Sequence, residues 1–331
     1  MFSDMSHLSI VKTDVQPGVP VRTAVAEFLS ATRRNRTAES QKNYHWMLYS
    51  FADFASAQGI SLEAVDGRTV DGFLDHYQAS HRPSKPGATT IAASSLANMV
   101  TVIKAFLNWC AHDTQVYGDF VEEKTVRAIR RVKVPKVIIE VFSHAQIRAL
   151  LESSEQEESP RMVARAKVII HVLVGTGIRA SEFCHLKLCD THLQNEGPYI
   201  KVVAGKGERD RRVPLGPVTY KKLAYWTQTY RAEQPVSAPV FTNRSGVEAI
   251  SVPGLQQLFG RLGERAKIEG VRCSPHTARH TFACNCIKSG MSIYNLSKLL
   301  GHSSVVMTER YCRALGADFQ ELADQVRGQL R

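Results

Sequence analysis

The chain has 331 residues, 44% of them hydrophobic and 22% charged, which is the composition of an ordinary globular protein with room for two domains. No apolar run reaches the roughly 18 residues that a membrane span needs, and residues 1–18 lack the basic start and apolar stretch of a signal peptide. A net charge of +11 favours a polyanionic partner, and nucleic acid is the most common one.

The positive charge is concentrated in the second half of the chain. Residues 1–135 hold 15 Lys and Arg against 13 Asp and Glu, whereas residues 136–331 hold 27 against 18. On charge alone, a basic enzyme that never touches DNA is an equally good interpretation. The seven cysteines are scattered and contain no CxxC pair. They fit reduced thiols and a cytoplasmic location better than a disulfide framework or a zinc site.

The first segment is predicted to be entirely helical. Apolar residues recur at helical spacing, which predicts helices over 21–31, about 38–57, 68–78 and about 93–112, with a Pro/Gly loop at 81–90. The apolar stripe of the last of these helices consists of Leu96, Met99, Val100, Ile103, Phe106 and Leu107. We therefore expect a disordered or extended N-terminus over 1–19 and a small helical domain over 20–125.

A basic stretch follows the helical domain. Residues 126–142 contain Pro135 and several cations and show no helical period, which predicts an interdomain linker. Such a linker could follow a phosphate backbone. An ordinary solvated run of charges is an equally good interpretation of the sequence alone.

The second segment, over 143–331, mixes helix and strand. Two β-branched runs, 198–204 and 211–215, flank GKGERD and predict a β-hairpin. Serine and proline signals predict helices that begin at 143 and at 159. Further helices are expected at about 217–231, 253–268, 277–289, 292–300 and 304–315, and a last one over 316–330. The predicted fold class is mainly α with a small β-hairpin or sheet, an α+β architecture of two domains.

Four short motifs place polar side chains at the edges of these elements. They are GTGIRASE with Arg179 and Glu182, GKG with Lys206, HTARH with His276, Arg279 and His280, and GHSSVVMTERY with His302 and Tyr311. Each motif taken alone has an ordinary explanation: a surface charge, a helix cap, a core histidine, or an ion-pair partner for a buried arginine. Those explanations do not account for the complete set in its order of Arg, Lys, His-x-x-Arg, His and Tyr.

This ordered set resembles the tyrosine recombinase family, also called the phage integrases. The resemblance covers about residues 143–315 by motif and extends more weakly to 20–125, which look like the family's helical core DNA-binding domain. Ala278 is smaller than the leucine often found in the His-x-x-Arg box, which should affect packing more than chemistry. Only 20 residues precede the first predicted helix, so we expect the simple type without an arm-binding domain.

The chemistry of these residue types agrees with the resemblance. A tyrosine hydroxyl can capture a DNA phosphate covalently and later release it to a free DNA hydroxyl. Because the unperturbed pKa of tyrosine is about 10, the site must help to remove that proton. Guanidiniums are permanently charged, and their donor forks match phosphate oxygens. Tyr311 is therefore the candidate nucleophile, and Arg179 and Arg279 are the candidates for stabilising the phosphate.

The remaining motif residues also have expected roles in this chemistry. Lys206 on the hairpin would protonate the leaving 5′ oxygen, and His276 would accept the tyrosine proton. His302 would hydrogen-bond a non-bridging oxygen. Glu182 would orient Arg179 or a histidine, and His280 is a supporting or core residue. The resemblance implies a 3′-phosphotyrosyl intermediate in site-specific recombination, with neither a metal nor a cofactor.

The resemblance also implies the partners. These are double-stranded DNA with inverted-repeat core sites, held by a two-domain clamp, and three further copies of the chain in a tetramer. It allows an accessory directionality factor, and integration, excision, transposition and resolution in a mobile element all stay open. Candidate phosphate contacts are Arg33, Arg34, Arg36, Lys42, Lys104, Arg130 and Arg131. For each of them, ordinary surface charge is an equally good interpretation.

Three alternatives remain open at this point. The first is DNA relaxation of the type IB topoisomerase kind, which uses a similar Tyr–Arg–Lys set. The second is a DNA-binding protein that has lost catalysis. The third is a zinc hydrolase with His276, His280 and His302 as ligands. Against the zinc hydrolase, Thr277 stands where the glutamate of an HExxH motif would be.

Overall fold

The computed structural model describes residues 18–83, 89–112, 116–135, 139–194, 197–203, 210–302 and 304–314. The chain divides into two compact units, residues 1–136 and 137–331, each with its own hydrophobic core. Residues 1–17 of the predicted N-terminal segment and the predicted last helix lie outside the described residues. Within those described ranges, none of the helices combines the length and the apolar character that a membrane span requires.

The N-terminal unit is helical, as predicted. Its helices are α1 (Val21–Thr32), α2 (Ala38–Ala57), α3 (Gly67–Ser80), α4 (Ala93–His112) and α5 (Glu123–Ala128). Asp66 begins α3 with a capping box to Thr69, which satisfies backbone donors of the first turn. The predicted apolar stripe of α4 is buried, and its Phe106 packs edge-on against Phe28 of α1.

The structure differs from the sequence prediction where the basic linker begins. Helix α5 extends to Ala128, and both Val126 and Ile129 are buried in the core of the N-terminal unit. Lys104 of α4 donates to the backbone carbonyl of Ile129 at 2.9 Å. A helix of 6 residues is too short to show a periodic pattern, which explains why the sequence did not reveal it.

The C-terminal unit contains eight helices among the residues described for it. They are α6 (His144–Ser153), α7 (Pro160–Thr176), α8 (Ala180–His185), α9 (Pro217–Tyr230), α10 (Val252–Arg265), α11 (Pro275–Lys288), α12 (Ile293–Leu300) and α13 (Val306–Ala314). Ser159 caps α7 and Pro160 occupies its first turn, as the sequence predicted. Helix α7 packs against both α9 and α11 and forms the centre of this unit.

A three-stranded antiparallel sheet completes the unit. Its strands are β1 (Thr191–His192), β2 (Tyr199–Val202) and β3 (Arg211–Pro214), in the order β1-β2-β3. Ile200 pairs with Val213 in the register of β2 and β3, and both side chains point into the core. The predicted hairpin is therefore present. Its tip, residues 204–209, includes Lys206 and lies outside the described residues.

Two glycines close helices next to the polar motifs. Gly177 ends α7 at φ +62, and Gly301 ends α12 at φ +66. Both angles lie in the left-handed region that favours glycine. Arg179 begins α8 two residues after Gly177, and His302 directly follows Gly301. The two chain reversals thus deliver an arginine and a histidine to the neighbourhood of α11.

Candidate active site

The first turn of α11 carries the His-x-x-Arg box. Ser274 caps the helix by accepting a hydrogen bond from the backbone of Thr277, which fixes the register of the turn. Arg279 is only 5% exposed and donates to the carbonyl oxygens of Gly177 at 2.7 Å and of Leu300 at 2.9 Å. Its guanidinium is therefore held in place by the ends of two other helices.

Arg179 is fixed from the other side of the same region. Its backbone N–H donates to Glu182 at 2.7 Å, and its Nη1 donates to the same carboxylate at 2.9 Å. Its Nη2 donates to the carbonyl oxygen of Gly301. The first arginine motif and the terminal histidine motif, 122 residues apart in the chain, thus meet in space.

Tyr311 lies on α13 with its side chain buried and 2% of the residue exposed. Its hydroxyl is 3.1 Å from Nδ1 of His280, and the His280 ring lies 4.1 Å from that of His276. The His302 ring is nearly parallel to the Tyr311 ring, with 6.3 Å between centroids. The sequence assigned the tyrosine proton to His276, whereas the histidine in contact with the hydroxyl here is His280.

Burial governs the titration of this cluster. Burial is the largest cause that lowers the pKa of His280 and that of His302 to about 4. The next cause is the charge of His276 for His280 and the charge of Arg279 for His302. Burial likewise lowers the pKa of His276, with Arg310 as the next cause. All three imidazoles are therefore neutral near pH 7 and able to accept a proton.

Burial and the neighbouring arginines shift the pKa of Tyr311 in opposite directions. Burial raises its pKa above the ordinary value of 10.0, while the charges of Arg279 and Arg310 and a hydrogen bond with Arg279 lower it. Desolvation dominates, so the hydroxyl is protonated in this structure. A base beside it is then a chemical requirement for its use as a nucleophile.

One cleft of about 650 Å³ collects most of the predicted catalytic residues. It is lined by Arg179, His276, Arg279, His302 and Tyr311 together with His280 and Arg310. The sixth predicted residue, Lys206, lies outside the described residues, so the structure does not place it. Arg310 adds a cation that the sequence analysis did not single out, although it directly precedes the tyrosine.

Glu182 pairs with two arginines, and the second was not predicted. Arg211, the first residue of β3, donates both terminal nitrogens to the Glu182 carboxylate, at 2.9 and 2.7 Å. Burial would raise the pKa of Glu182, but the hydrogen bonds from Arg211 and Arg179 outweigh it and hold that pKa below its usual value. We call Glu182, Arg179 and Arg211 the Glu182 cluster. The available signal in the sequence was an arginine at the end of GKGERDR, beside the predicted hairpin lysine.

Five of the seven predicted phosphate contacts of the N-terminal unit line two hollows. Arg33 and Arg36 line one hollow, where the Arg36 guanidinium lies over the rings of Tyr44 and Phe28 at 3.9 and 4.8 Å. Lys104, Arg130 and Arg131 line another hollow, of about 540 Å³. Burial, and next the charge of Arg131, lower the pKa of Lys104. Arg34 and Lys42 are exposed and line neither hollow.

Metal coordination was one of the alternatives open from the sequence. His276 and His280 lie side by side, but the residues that the structure describes contain no group of three His, Cys, Asp or Glu side chains placed to share an ion. The charged and titratable side chains that line the cleft are instead four arginines, three histidines, a tyrosine and Glu140. That set can bind an anion through its guanidiniums and can move a proton between the phenol and an imidazole.

Comparison with known proteins connects this cleft to a family. The phage integrase family model matches residues 140–317, which is more than half of the chain. The chain belongs to the phage integrase family. The resemblance to tyrosine recombinases is confirmed, and so is the prediction that the chain is a site-specific recombinase, a DNA strand-exchange enzyme.

Individual relatives of this integrase family member extend over both units. Tyrosine recombinase XerA of Pyrococcus furiosus is 25% identical over 295 residues, which cover 88% of this chain and 96% of that protein. XerC of Staphylococcus epidermidis is 23% identical over 286 residues, covering 86% of this chain and 89% of that protein.

Solved structures show the same fold. The XerH site-specific recombinase, in its post-cleavage complex with palindromic difH, matches with a TM-score of 0.71 at 22% identity over 91% of this chain and 83% of that one. The Tn1549 transposon integrase, in complex with transposon right end DNA, matches with a TM-score of 0.68 at 18% identity over 92% of this chain and 100% of that one. The predicted fold class, mainly helical with a small sheet, is confirmed.

Proposed function

We propose that this recombinase cleaves and rejoins DNA through a phosphodiester bond to Tyr311. The observation that carries the proposal is the contact between the Tyr311 hydroxyl and Nδ1 of His280, in the cleft that Arg179 and Arg279 also line. A nucleophile, a base and two permanently charged phosphate ligands are the groups that a metal-free transesterification needs.

The proposed reaction begins with a proton transfer. As the Tyr311 oxygen attacks the scissile phosphorus, its proton passes to Nδ1 of His280, which is neutral because its pKa is about 4. The ring of His276 packs against that of His280, with 4.1 Å between centroids, and this contact supports a role for His276 in taking that proton onward. The O–P bond to the 5′ oxygen breaks, and that oxygen receives a proton, for which Lys206 is our candidate. The products are a 3′-phosphotyrosyl ester and a free 5′ hydroxyl, and the reverse reaction with another strand's 5′ hydroxyl exchanges the strands.

The two arginines and His302 would stabilise the charge that grows on the phosphoryl oxygens. By analogy with oxyanion-hole donors, each guanidinium is worth about 3–4 kcal/mol in the transition state. Nδ1 of His302 is 2.7 Å from the hydroxyl of Thr308, which is fully buried. When Thr308 donates to Nδ1, Nε2 carries the hydrogen and can donate to a non-bridging oxygen.

The partners are part of the proposal. The XerH neighbour is described on a palindromic difH substrate, which supports an inverted-repeat DNA site for this chain. Joining two duplexes requires four cleavages, so we propose four copies on DNA, with an accessory directionality factor as an open addition. Since the substrate is DNA, we propose a cytoplasmic location. The predicted helical domain over 20–125, together with Arg130 and Arg131 that follow it, would supply DNA contacts through arginines and lysines that line or flank the two hollows.

The test uses nicked DNA duplexes taken from the sequence that flanks the gene, in EDTA. A nick close to the cleavage point lets a short fragment diffuse away, so the covalent intermediate accumulates. We expect a slowly migrating, protease-sensitive DNA band on a denaturing gel from the wild type, and no such band from Tyr311→Phe. Sequence-specific binding without the band would indicate an inert DNA-binding protein. Activity restored only by a divalent metal would indicate a hydrolase, and relaxation without strand exchange would indicate a topoisomerase-like enzyme.

A further inference from the structure

Three consecutive carbonyl groups at the end of α12 hold three arginines from three different parts of the chain. Leu299 accepts from Nε of Arg211 at 2.8 Å, Leu300 accepts from Nη2 of Arg279 at 2.9 Å, and Gly301 accepts from Nη2 of Arg179. The last carbonyls of a helix have no partner within it and carry the negative end of its dipole. The end of α12 therefore favours cations, and here it fixes the spacing of Arg179 and Arg279, two of the arginines that line the cleft.

Arg211 connects this helix end to Glu182. Its side chain is 10% exposed and does not line the cleft. While Nε reaches Leu299, the two terminal nitrogens grip both oxygens of Glu182. Glu182 in turn holds the backbone N–H and the guanidinium of Arg179. One side chain thus fastens the first strand residue after the hairpin tip to α8 and to α12.

Gly301 fits Arg211 in a way that no larger residue would. A Cβ built on Gly301 would lie 2.8 Å from Nη1 and 3.0 Å from Cζ of Arg211, and both distances are shorter than the usual contacts of a Cβ atom. The positive φ of +66 at Gly301 already favours glycine. The guanidinium therefore lies close against the turn that leads to His302.

We propose that Arg211 is a positioning residue for strand cleavage, which rests on the function proposed above. It acts through Glu182 and the end of α12 by holding Arg179 and Arg279 at the spacing that the scissile phosphate requires. Loss of Arg211 would let the Glu182 carboxylate and the Arg179 guanidinium move, although no group that touches the DNA would have been removed. Misplacement of catalytic groups by about 1 Å can cost about 100-fold in rate.

The experiment compares Arg211→Gln with Arg212→Gln on nicked DNA. Arg212 is the next residue of β3, is exposed, and lies over the Tyr199 ring. We expect Arg211→Gln to lower the single-turnover rate of adduct formation by about 10- to 100-fold, with DNA affinity within about twofold of wild type. Arg212→Gln should leave the rate within about twofold. Equal rates for the two variants, or a loss of affinity as large as the loss of rate, would overturn the proposal.

A double-mutant cycle with Glu182→Gln separates positioning from an independent role. If Arg211 acts through Glu182, the double variant should cleave within about threefold of the slower single variant. Rates that fall by the product of the single losses would contradict the proposal.

Arg211→Lys covers the case in which Arg211→Gln does not fold, because lysine keeps the positive charge and lacks the forked pair of donors. We expect it to fold, as read by its melting temperature, and to cleave about 10-fold slower than wild type; wild-type rates from a folded Lys variant would overturn the proposal. A wild type that forms no adduct would refute the proposed function itself.

Discussion

Two glutamates of the C-terminal unit each hold two arginines, and the two clusters differ in what else those arginines touch. Glu157, just before α7, accepts from Arg261 and Arg265 at distances from 2.7 to 3.3 Å. We call these three residues the Glu157 cluster. Its two arginines lie four residues apart on α10, so the cluster fastens one helix to one turn. The Glu157 side chain is 2% exposed, and the side chains of Arg261 and Arg265 are 31% and 30% exposed.

The Glu182 cluster uses the same ion-pair chemistry in a different setting. Its arginines come from the start of α8 and the start of β3, and each also donates to a carbonyl at the end of α12. Arg179 then lines the cleft that contains Tyr311. A carboxylate with two arginines is therefore not a catalytic signature in itself. The second set of contacts, to α12 and to the cleft, is what distinguishes the Glu182 cluster from the Glu157 cluster.

The largest expected effect on the cleavage rate is that of Arg179→Gln in the Glu182 cluster, and Arg265→Gln in the Glu157 cluster is its matched control. Arg179→Gln should lower the rate of adduct formation on nicked DNA by about 100- to 1,000-fold, because it removes a charged donor aimed at the phosphate. Arg265→Gln should leave the rate of the folded protein within about threefold. Single-turnover cleavage assays with matched DNA affinities measure both rates. A similar loss from both variants would break the distinction between the clusters.

The histidines beside Tyr311 offer the next test, since the Glu157 cluster has no counterpart to them. His280→Gln and His276→Gln should each lower the cleavage rate by about 100-fold, because general acid–base catalysis is typically worth about 100- to 10,000-fold. If the two imidazoles act as one proton path, the double variant should be no slower than the slower single variant. Losses that multiply would show two independent roles.

A smaller effect is expected from neutralising the two carboxylates. Glu182→Gln should lower the cleavage rate by about 10-fold, since Arg179 keeps its charge but loses its orienting partner. Glu182→Gln and Glu157→Gln should both lower the free energy of unfolding by about 1–3 kcal/mol, because each loses buried charged hydrogen bonds. The cleavage rate of the folded protein should fall only for Glu182→Gln. Urea denaturation and single-turnover cleavage measure the two effects, and an equal fall in the cleavage rate of folded Glu157→Gln would contradict the assignment.

The smallest expected effect is a pH dependence of stability that originates in the cleft. The pKa of His280 falls from 6.5 to about 4 on folding, mainly through burial. Between those values the unfolded chain binds a proton that the native chain does not, so stability is complete above about pH 6.5 and declines as the pH falls towards 4. His280→Gln should flatten the fall in melting temperature between pH 7 and pH 5, whereas the exposed His144→Gln should not. An equal fall in melting temperature between pH 7 and pH 5 for the wild type and both variants would contradict this origin.

Much of the fold could be predicted from local patterns. The stripe of α4, the serine cap and proline of α7, and the β-branched runs around the hairpin each report a local preference, and each prediction was confirmed. Helix α5 was not predicted, because it depends on the packing of Val126 and Ile129 against the core of the N-terminal unit. Tertiary packing decides such short helices more than propensity does.

The candidate site was predictable in its members and less so in its connections. Residue types and order were enough to select Arg179, His276, Arg279, His302 and Tyr311, which the cleft brings together. The contact of Tyr311 with His280 depends on the approach of α13 to α11, which no local pattern encodes. Arg211 acts through carbonyl groups of the main chain, and these look alike in every sequence.

The central claim is that Tyr311 bonds covalently to DNA, and mass spectrometry of the trapped adduct tests it most directly. The wild-type adduct on nicked DNA would be digested with nuclease and with a protease that cuts after glutamate, which releases a peptide that begins at Arg310. We predict that this peptide carries a nucleotide joined through its 3′ phosphate to the Tyr311 oxygen. A nucleotide joined to any other residue, or through a 5′ phosphate, would contradict the account.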